Sequence, residues 1–183
     1  MNSLKIQHKR GSAFFLSILI MMLTMASVLA GDKSNPAQQN FAVTHGPITM
    51  VLADHNSDGH QMADMRAGSL PICDKHGQET GRLDAMLVTT GINIPNQDDE
   101  TRISTLIFSF GDGVDQIVIN GSGFYPASGG TIDLDSTVIR PITGGSGVFA
   151  GANGWAETEH FEDDTWQHSF HLLNPGKKGD HHQ

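Results

Sequence analysis

Eleven of the 21 glycines fall between Gly111 and Gly154, where they separate short runs of β-branched and aromatic residues. Glycine weakens the interior of a helix or strand, so a chain spaced in this way puts its glycines at turns. No segment carries apolar residues at i, i+3, i+4 and i+7 through three helical turns, whereas alternating runs recur. Strands are expected near residues 46–54, 81–90, 101–111, 115–123, 130–141, 154–162 and 165–173, with a shorter one near 62–70. Short connections within a single domain then give an all-β sandwich or barrel. A meander closed into a barrel has the advantage of leaving no strand edge unpaired.

Residues 1–30 stand apart. They hold Lys5, Lys9 and Arg10, then an apolar run from Ala13 to Ala30 ending Val28-Leu29-Ala30. A basic start, an apolar middle and small residues at the −3 and −1 positions make a secretory signal peptide, with cleavage expected before Gly31. An uncleaved anchor is the alternative, but the run is at the lower limit of spanning length and is interrupted by Ser17, Thr24 and Ser27. Three of the 11 basic residues and none of the 20 acidic ones lie in this segment, so its removal takes the net charge from −9 to −12. A surface that acidic repels phosphate backbones and argues against a nucleic-acid partner. Nothing else in the chain is long and apolar enough to span a bilayer as a helix, so no membrane association is expected after cleavage and the expected location is secreted or periplasmic. Cys73 is the lone cysteine, which leaves stability to a packed core. The expected organisation is a signal peptide at 1–30, a flexible linker at 31–44, a β-barrel domain at 45–174 and a disordered tail at 175–183.

The last two strands carry the best chemistry. If Asp163-Asp164 form a two-residue turn, Glu159 pairs with His168, Glu157 with Phe170 and Trp155 with Leu172. Alternation then puts Trp155, Glu157, Glu159, Phe161, Trp166, His168 and Phe170 on one face. An odd loop length would change that pairing. The face is aromatic enough to be buried, and it would hold two carboxylates and an imidazole. Glu157, Glu159 and His168 are therefore the expected catalytic residues: a carboxylate in an apolar lumen has its pKa raised, and an adjacent imidazole can take or relay the proton. The alternative is a surface ion pair.

The run Ile139 to Gly154, IRPITGGSGVFAGANG, with the aromatic strand TWQHSFHLL after it, resembles the allene oxide cyclase and dirigent proteins. The matching residues are Gly144, Gly145, Gly147, Phe149, Gly151, Ala152 and Gly154; Gly68-Ser69-Leu70-Pro71 and TLIFSFGDG (Thr105 to Gly113) follow the same order upstream. The resemblance covers roughly residues 45–173. It implies an eight-stranded antiparallel β-barrel, usually a homotrimer, with an apolar lumen open at one end. The residues supply their own reason for the block, since Gly144-Gly145 and Gly151 permit positive φ at a sharp reversal and Phe149 can plug the floor.

Neither catalytic set of that superfamily is complete. Pro71-Ile72-Cys73-Asp74 is similar to the Pro-x-x-Asn element of the cyclases with Asp in place of Asn. The expected first strand, Pro47 to Asp54, has no Glu. The position of the dirigent arginine is Val138, with Arg140 read as displaced to the other face. Neither reaction is carried over.

The expected ligand is a small apolar molecule held in the lumen by Trp155, Phe161, Trp166, Phe170, Pro71 and Asp74, without a cofactor or metal. The expected function is that of an exported barrel that binds this molecule, with catalysis left open; the enzyme version is an isomerase or cyclase of the allene oxide cyclase type. The other readings are a non-catalytic carrier comparable with lipocalins and an envelope protein whose lumen is filled by its own side chains. His55 and His60 with Asp54, Asp58 and Asp64 have no ligand spacing and read as a solvated loop. The run Asp98-Asp99-Glu100 reads as an exposed hairpin tip.

Overall fold

A computed structural model describes residues 39–53, 60–127 and 129–173. The signal segment, the C-terminal tail and Asp54, His55 and Asp58 lie outside the described residues.

Among the described residues nine strands follow one another: β1 (Gln39–His45), β2 (Val51–Ala53), β3 (Met65–Cys73), β4 (Glu79–Ile92), β5 (Asp99–Phe110), β6 (Asp115–Pro126), β7 (Ser136–Ser146), β8 (Gly154–His160) and β9 (Trp166–Leu172), with a 3-10 turn at Gly147–Phe149. All the pairings are antiparallel. From β3 to β9 each strand pairs with the next, and β1 closes the ring between β9 and β3, meeting β3 at Thr44–Cys73. The short β2 covers the other end of β3, from Val51–Ala67 to Ala53–Met65. The result is a closed eight-stranded antiparallel barrel.

Period-two alternation sorts each strand. On β5, Glu100, Arg102, Ser104, Leu106 and Phe108 are buried, while Ile103 between them is exposed. The inward residues fall into three layers. Phe41, Phe110, Phe149 and Phe170 form the floor; Phe149 stacks on Phe41 at 5.9 Å and lies 5.3 Å from Phe110. Leu83, Ala85, Leu87, Leu106 and Trp166 line the middle. A polar cluster around Glu100 lies toward the mouth, where β5 begins. Segment 46–50 crosses the mouth: a Cβ on Gly68 would lie 2.8 Å from the Met50 sulfur and 3.3 Å from Ile48, so only glycine on the inner face of β3 lets this segment seat.

Four expectations need correction. Gln39–Thr44, read as linker, form β1, because Phe41, Val43 and His45 alternate inward against β9. The strand expected at 46–54 shrinks to Val51–Ala53, as the chain leaves the wall to cap the lumen. Glu100 is not at an exposed tip but fully buried; the chain turns at Asn93–Asp98 instead.

The fourth correction is the register of the β8–β9 hairpin. His160 pairs with Trp166, Thr158 with His168 and Ala156 with Phe170. Asp164 takes φ 62°, and the Phe161 N–H donates to the Thr165 carbonyl, which makes a loop of three residues, Glu162 to Asp164. A left-handed third residue is the usual closure of such a loop. One extra loop residue exchanges the faces of β8 relative to β9. Ala156, Thr158 and His160 therefore point inward, and Trp155, Glu157 and Glu159 outward.

The glycine block forms the floor turn as its composition suggests, with a different division of labour. Gly151 has φ 79°, as expected, whereas Gly145 is needed for close approach: a Cβ there would lie 2.5 Å from the Gln116 carbonyl oxygen.

Candidate functional site in the barrel lumen

Between floor and mouth the barrel contains a partly open cavity of about 50 Å³ whose walls are almost entirely apolar. Besides Thr131 in the loop after β6, the strands bring four polar side chains to it: His45 from β1, Tyr125 from β6, Arg140 from β7 and His168 from β9. Each occupies an inward position of a strand that is otherwise aliphatic or aromatic on that side.

One obligate acceptor fixes the direction of a chain of hydrogen bonds. The Gly46 carbonyl can only accept, so His45 Nδ1, 2.6 Å away, carries a proton. Neutral His45 then offers a bare Nε2, which accepts from His168 Nε2–H at 3.0 Å. His168 Nδ1, now the bare nitrogen, accepts from the Thr158 hydroxyl at 3.0 Å. Thr158 Oγ1 in turn faces Arg140 Nη1 at 3.5 Å. Both imidazoles are held neutral. His168 is 2% exposed, and burial, with the repulsion that a protonated ring would meet from His45 and Arg140, pushes its pKa well below the usual value of 6.5. Burial also lowers His45, against the opposing hydrogen bond to Gly46. Phe108 meets the His168 ring edge-on at 4.8 Å, and His45 stacks between Trp166 and His168.

Arg140 is 3% exposed. Its Nη2 donates to the Tyr125 hydroxyl at 2.5 Å, which leaves the phenolic proton directed elsewhere. Its Nε has no partner among the described residues, and no carboxylate pairs with it there.

The mouth cluster is built differently. Glu100 Oε2 accepts from Arg102 Nε at 2.7 Å, Thr89 Oγ1 at 2.8 Å and Arg66 Nη1 at 3.4 Å, while Oε1 faces His60 Nδ1 at 2.7 Å. Burial alone would raise the Glu100 pKa, but the hydrogen bonds from His60, Arg102 and Thr89 hold it below its ordinary value. Arg102 spends its remaining N–H groups on the carbonyls of Pro126, Gly129 and Gly130, and its guanidinium lies 4.8 Å above the Tyr125 ring. Every charge in the cluster is answered, which is the arrangement of a structural clamp.

Of the expected site residues, His168 and Trp166 line the cavity and Phe170 lies beneath it in the floor. The others lie elsewhere. Trp155 stacks on His171 at 4.8 Å on the outer face and donates to Glu157. Glu159 accepts from Gln167 on that face. Phe161 sits beside the hairpin loop and Pro71 is exposed on the outside of β3. Asp74 occupies the β3–β4 turn at the floor end, where its carboxylate accepts from the His76 and Gln78 amides. Among the described residues no three His, Cys, Asp or Glu side chains converge as metal ligands.

His45, Tyr125, Thr158 and Arg140 are the residues that sequence reasoning missed. Arg140 carried a legible signal: it stands two residues from Val138 and two from Ile142, so all three share the inner face, contrary to the displacement expected for it. A lone cation on an apolar stripe is a conspicuous exception to alternation. Tyr125 is the chain's single tyrosine.

No protein-family model matches the sequence, and no curated protein matches it. Several solved structures share the architecture. A pyocyanin demethylase superposes with a TM-score of 0.56 at 17% identity, over 73% of this chain and 99% of its own. A pterocarpan synthase dirigent protein gives 0.53 at 13% identity, over 75% and 87%. The Diels-Alderase AbmU from Streptomyces koyangensis gives 0.53 at 14% identity, over 92% and 81%. The chain has the allene oxide cyclase/dirigent-like barrel fold. At these identities the likeness is one of backbone architecture, and chemistry has to be argued from the lumen itself.

Proposed function

We propose that this barrel binds a small, mostly apolar molecule in its lumen and moves a proton on it, as an isomerase or cyclase. The observation that carries this reading is the neutral His45–His168 pair on the wall of an otherwise apolar cavity. An imidazole kept unprotonated at neutral pH can act as a general base. The pair holds one proton between two nitrogens, on His168 Nε2, so a ligand that takes the place of His168 at this bond leaves His45 Nε2 free to receive a proton. The surrounding aromatic and aliphatic side chains would exclude water and hold the substrate in one orientation. A pterocarpan synthase dirigent protein and a Diels-Alderase share the barrel architecture, which is compatible with a small molecule held in the lumen.

The competing reading is a filled barrel with no ligand, and the size of the void favours it: about 50 Å³ holds little more than the head of a molecule. A larger ligand must displace Ile48 and Met50 from the mouth. Trp166 reports on the difference because it lines the cavity. A shift in tryptophan fluorescence on titration with compact apolar ligands, followed by product analysis, is expected for a catalyst; binding without turnover marks a carrier, and silence across the panel marks a filled barrel.

Two further readings belong with this one. The N-terminal segment is proposed to direct export, so mature protein recovered from the envelope or medium should begin at Gly31. A homotrimer is proposed because Met86, Ile103, Phe124 and Ile139 leave an apolar patch exposed on the outer faces of β4 to β7; light scattering of the purified protein measures this.

A further inference from the structure

Among the described residues, the lumen contains one charge without a counter-charge. Arg140 is buried, lines the cavity, has an unpartnered Nε and meets two neutral hydroxyls there, those of Tyr125 and Thr158. A guanidinium cannot shed its charge to escape burial. Elsewhere in this lumen the same problem is solved with a carboxylate, since Arg102 and Arg66 share Glu100. Leaving a buried cation without a counter-charge is costly, and such sites are normally paired or bound to an anion.

From this we infer that the lumenal ligand is an apolar monocarboxylate, its carboxylate seated against Arg140 Nε and the Tyr125 hydroxyl. The inference rests on the lumenal-ligand reading above and names its substrate class. Three observations converge on it. The cavity is bordered by Arg140 and Tyr125 and by no acidic side chain: Arg140 Nε is buried without a partner among the described residues, and the Tyr125 hydroxyl, whose oxygen already accepts from Arg140, has its proton left to give. The void, about 50 Å³, is the size of a carboxylate head with its apolar body directed at Ile48 and Met50. A permanently charged guanidinium also calls for a group ionised throughout the neutral range, which a carboxylate is and an enol or phenol is not. A second carboxylate on the ligand would find no partner on these walls, which restricts the class to monoanions.

The test compares each acid with its own amide, a near-isostere without the charge. Benzoate and isovalerate are titrated against benzamide and isovaleramide by calorimetry, with tryptophan fluorescence as a second readout, in the full chain at neutral pH. The acids are expected to bind about tenfold or more tightly than the amides, the size of a charge-assisted hydrogen bond made in a dry site. Arg140→Gln should abolish the preference, so that acid and amide bind equally, and Arg140→Lys, which keeps the charge if the glutamine variant does not fold, should retain part of it. Acids and amides binding equally in the wild-type protein would overturn the inference while leaving the lumenal-ligand reading intact. So would an acid preference that survives Arg140→Gln. If chloride alone raises the melting temperature in an Arg140-dependent way while the acids bind no better than the amides, the site is for an inorganic anion and the inference also fails. If no acid, amide or neutral apolar compound binds, the lumenal-ligand reading itself is lost.

Discussion

Two buried arginines a few ångströms from the same tyrosine live in opposite surroundings. Arg102 lies over the Tyr125 ring and donates to Glu100 and three backbone carbonyls; Arg140 touches the hydroxyl of that tyrosine and has no carboxylate among the described residues. The first is part of a closed set of partners that ties β4, β5 and the loop after β6 together. The second ends a chain of neutral groups, Thr158, His168 and His45, that opens on a cavity. A protein that can complete one such cluster and leaves the other open has put its unsatisfied capacity where a ligand would go.

The largest effect should come from Glu100→Gln. Removing that charge leaves Arg102 buried without a carboxylate among the described residues, and a loss of about 3–5 kcal/mol in denaturant unfolding is expected. A loss below about 1 kcal/mol would show that the mouth cluster is not the clamp described. Arg102→Met should come next, with a loss of about 2–3 kcal/mol, because His60, Arg66 and Thr89 still face the carboxylate. Arg140→Met should differ sharply from it. Replacing an unanswered buried cation by an apolar side chain of similar length is expected to change stability by less than about 1 kcal/mol in either direction. Equal losses for the two arginine variants would break the contrast.

Acid should act on the open cluster first. The folded-state pKa values of His168 and His45 lie below the ordinary 6.5, so in the window beneath that value the unfolded chain binds protons that the native chain refuses. Stability from these groups is complete above pH 6.5 and declines as pH falls through the window toward the folded values. Glu100, lowered from 4.5, contributes stability that persists to more acidic pH and is lost only as its carboxylate is protonated. Melting temperature against pH should therefore fall in two stages, and His168→Asn should flatten the upper one. An unchanged upper stage would mean that the imidazole pair is not held neutral. The smallest effects are expected outside the barrel wall: Glu157→Gln and Glu159→Gln should alter stability by less than about 0.5 kcal/mol and leave lumenal binding unchanged.

What the sequence by itself determined was everything that depends on neighbours along one strand. Trp166, His168 and Phe170 share a face because side chains alternate, whatever β9 pairs with, and they do point inward. Phe149 and the glycines around it announced the floor for the same local reason. The closed eight-stranded cylinder was legible too, because short extended segments joined by turns have few ways to hide their edges.

Tertiary structure alone decided what depends on a second strand. Whether Glu157 or Thr158 meets the lumen hangs on one loop residue, Asp164, taking a left-handed conformation, and a shift of one position reverses every side chain of β8 relative to β9. The lumenal cluster gathers residues from β1, β6, β7, β8 and β9, up to 123 positions apart between His45 and His168. No spacing rule along the chain encodes that meeting; it arises because closing the sheet sets inward positions from opposite walls a few ångströms from each other.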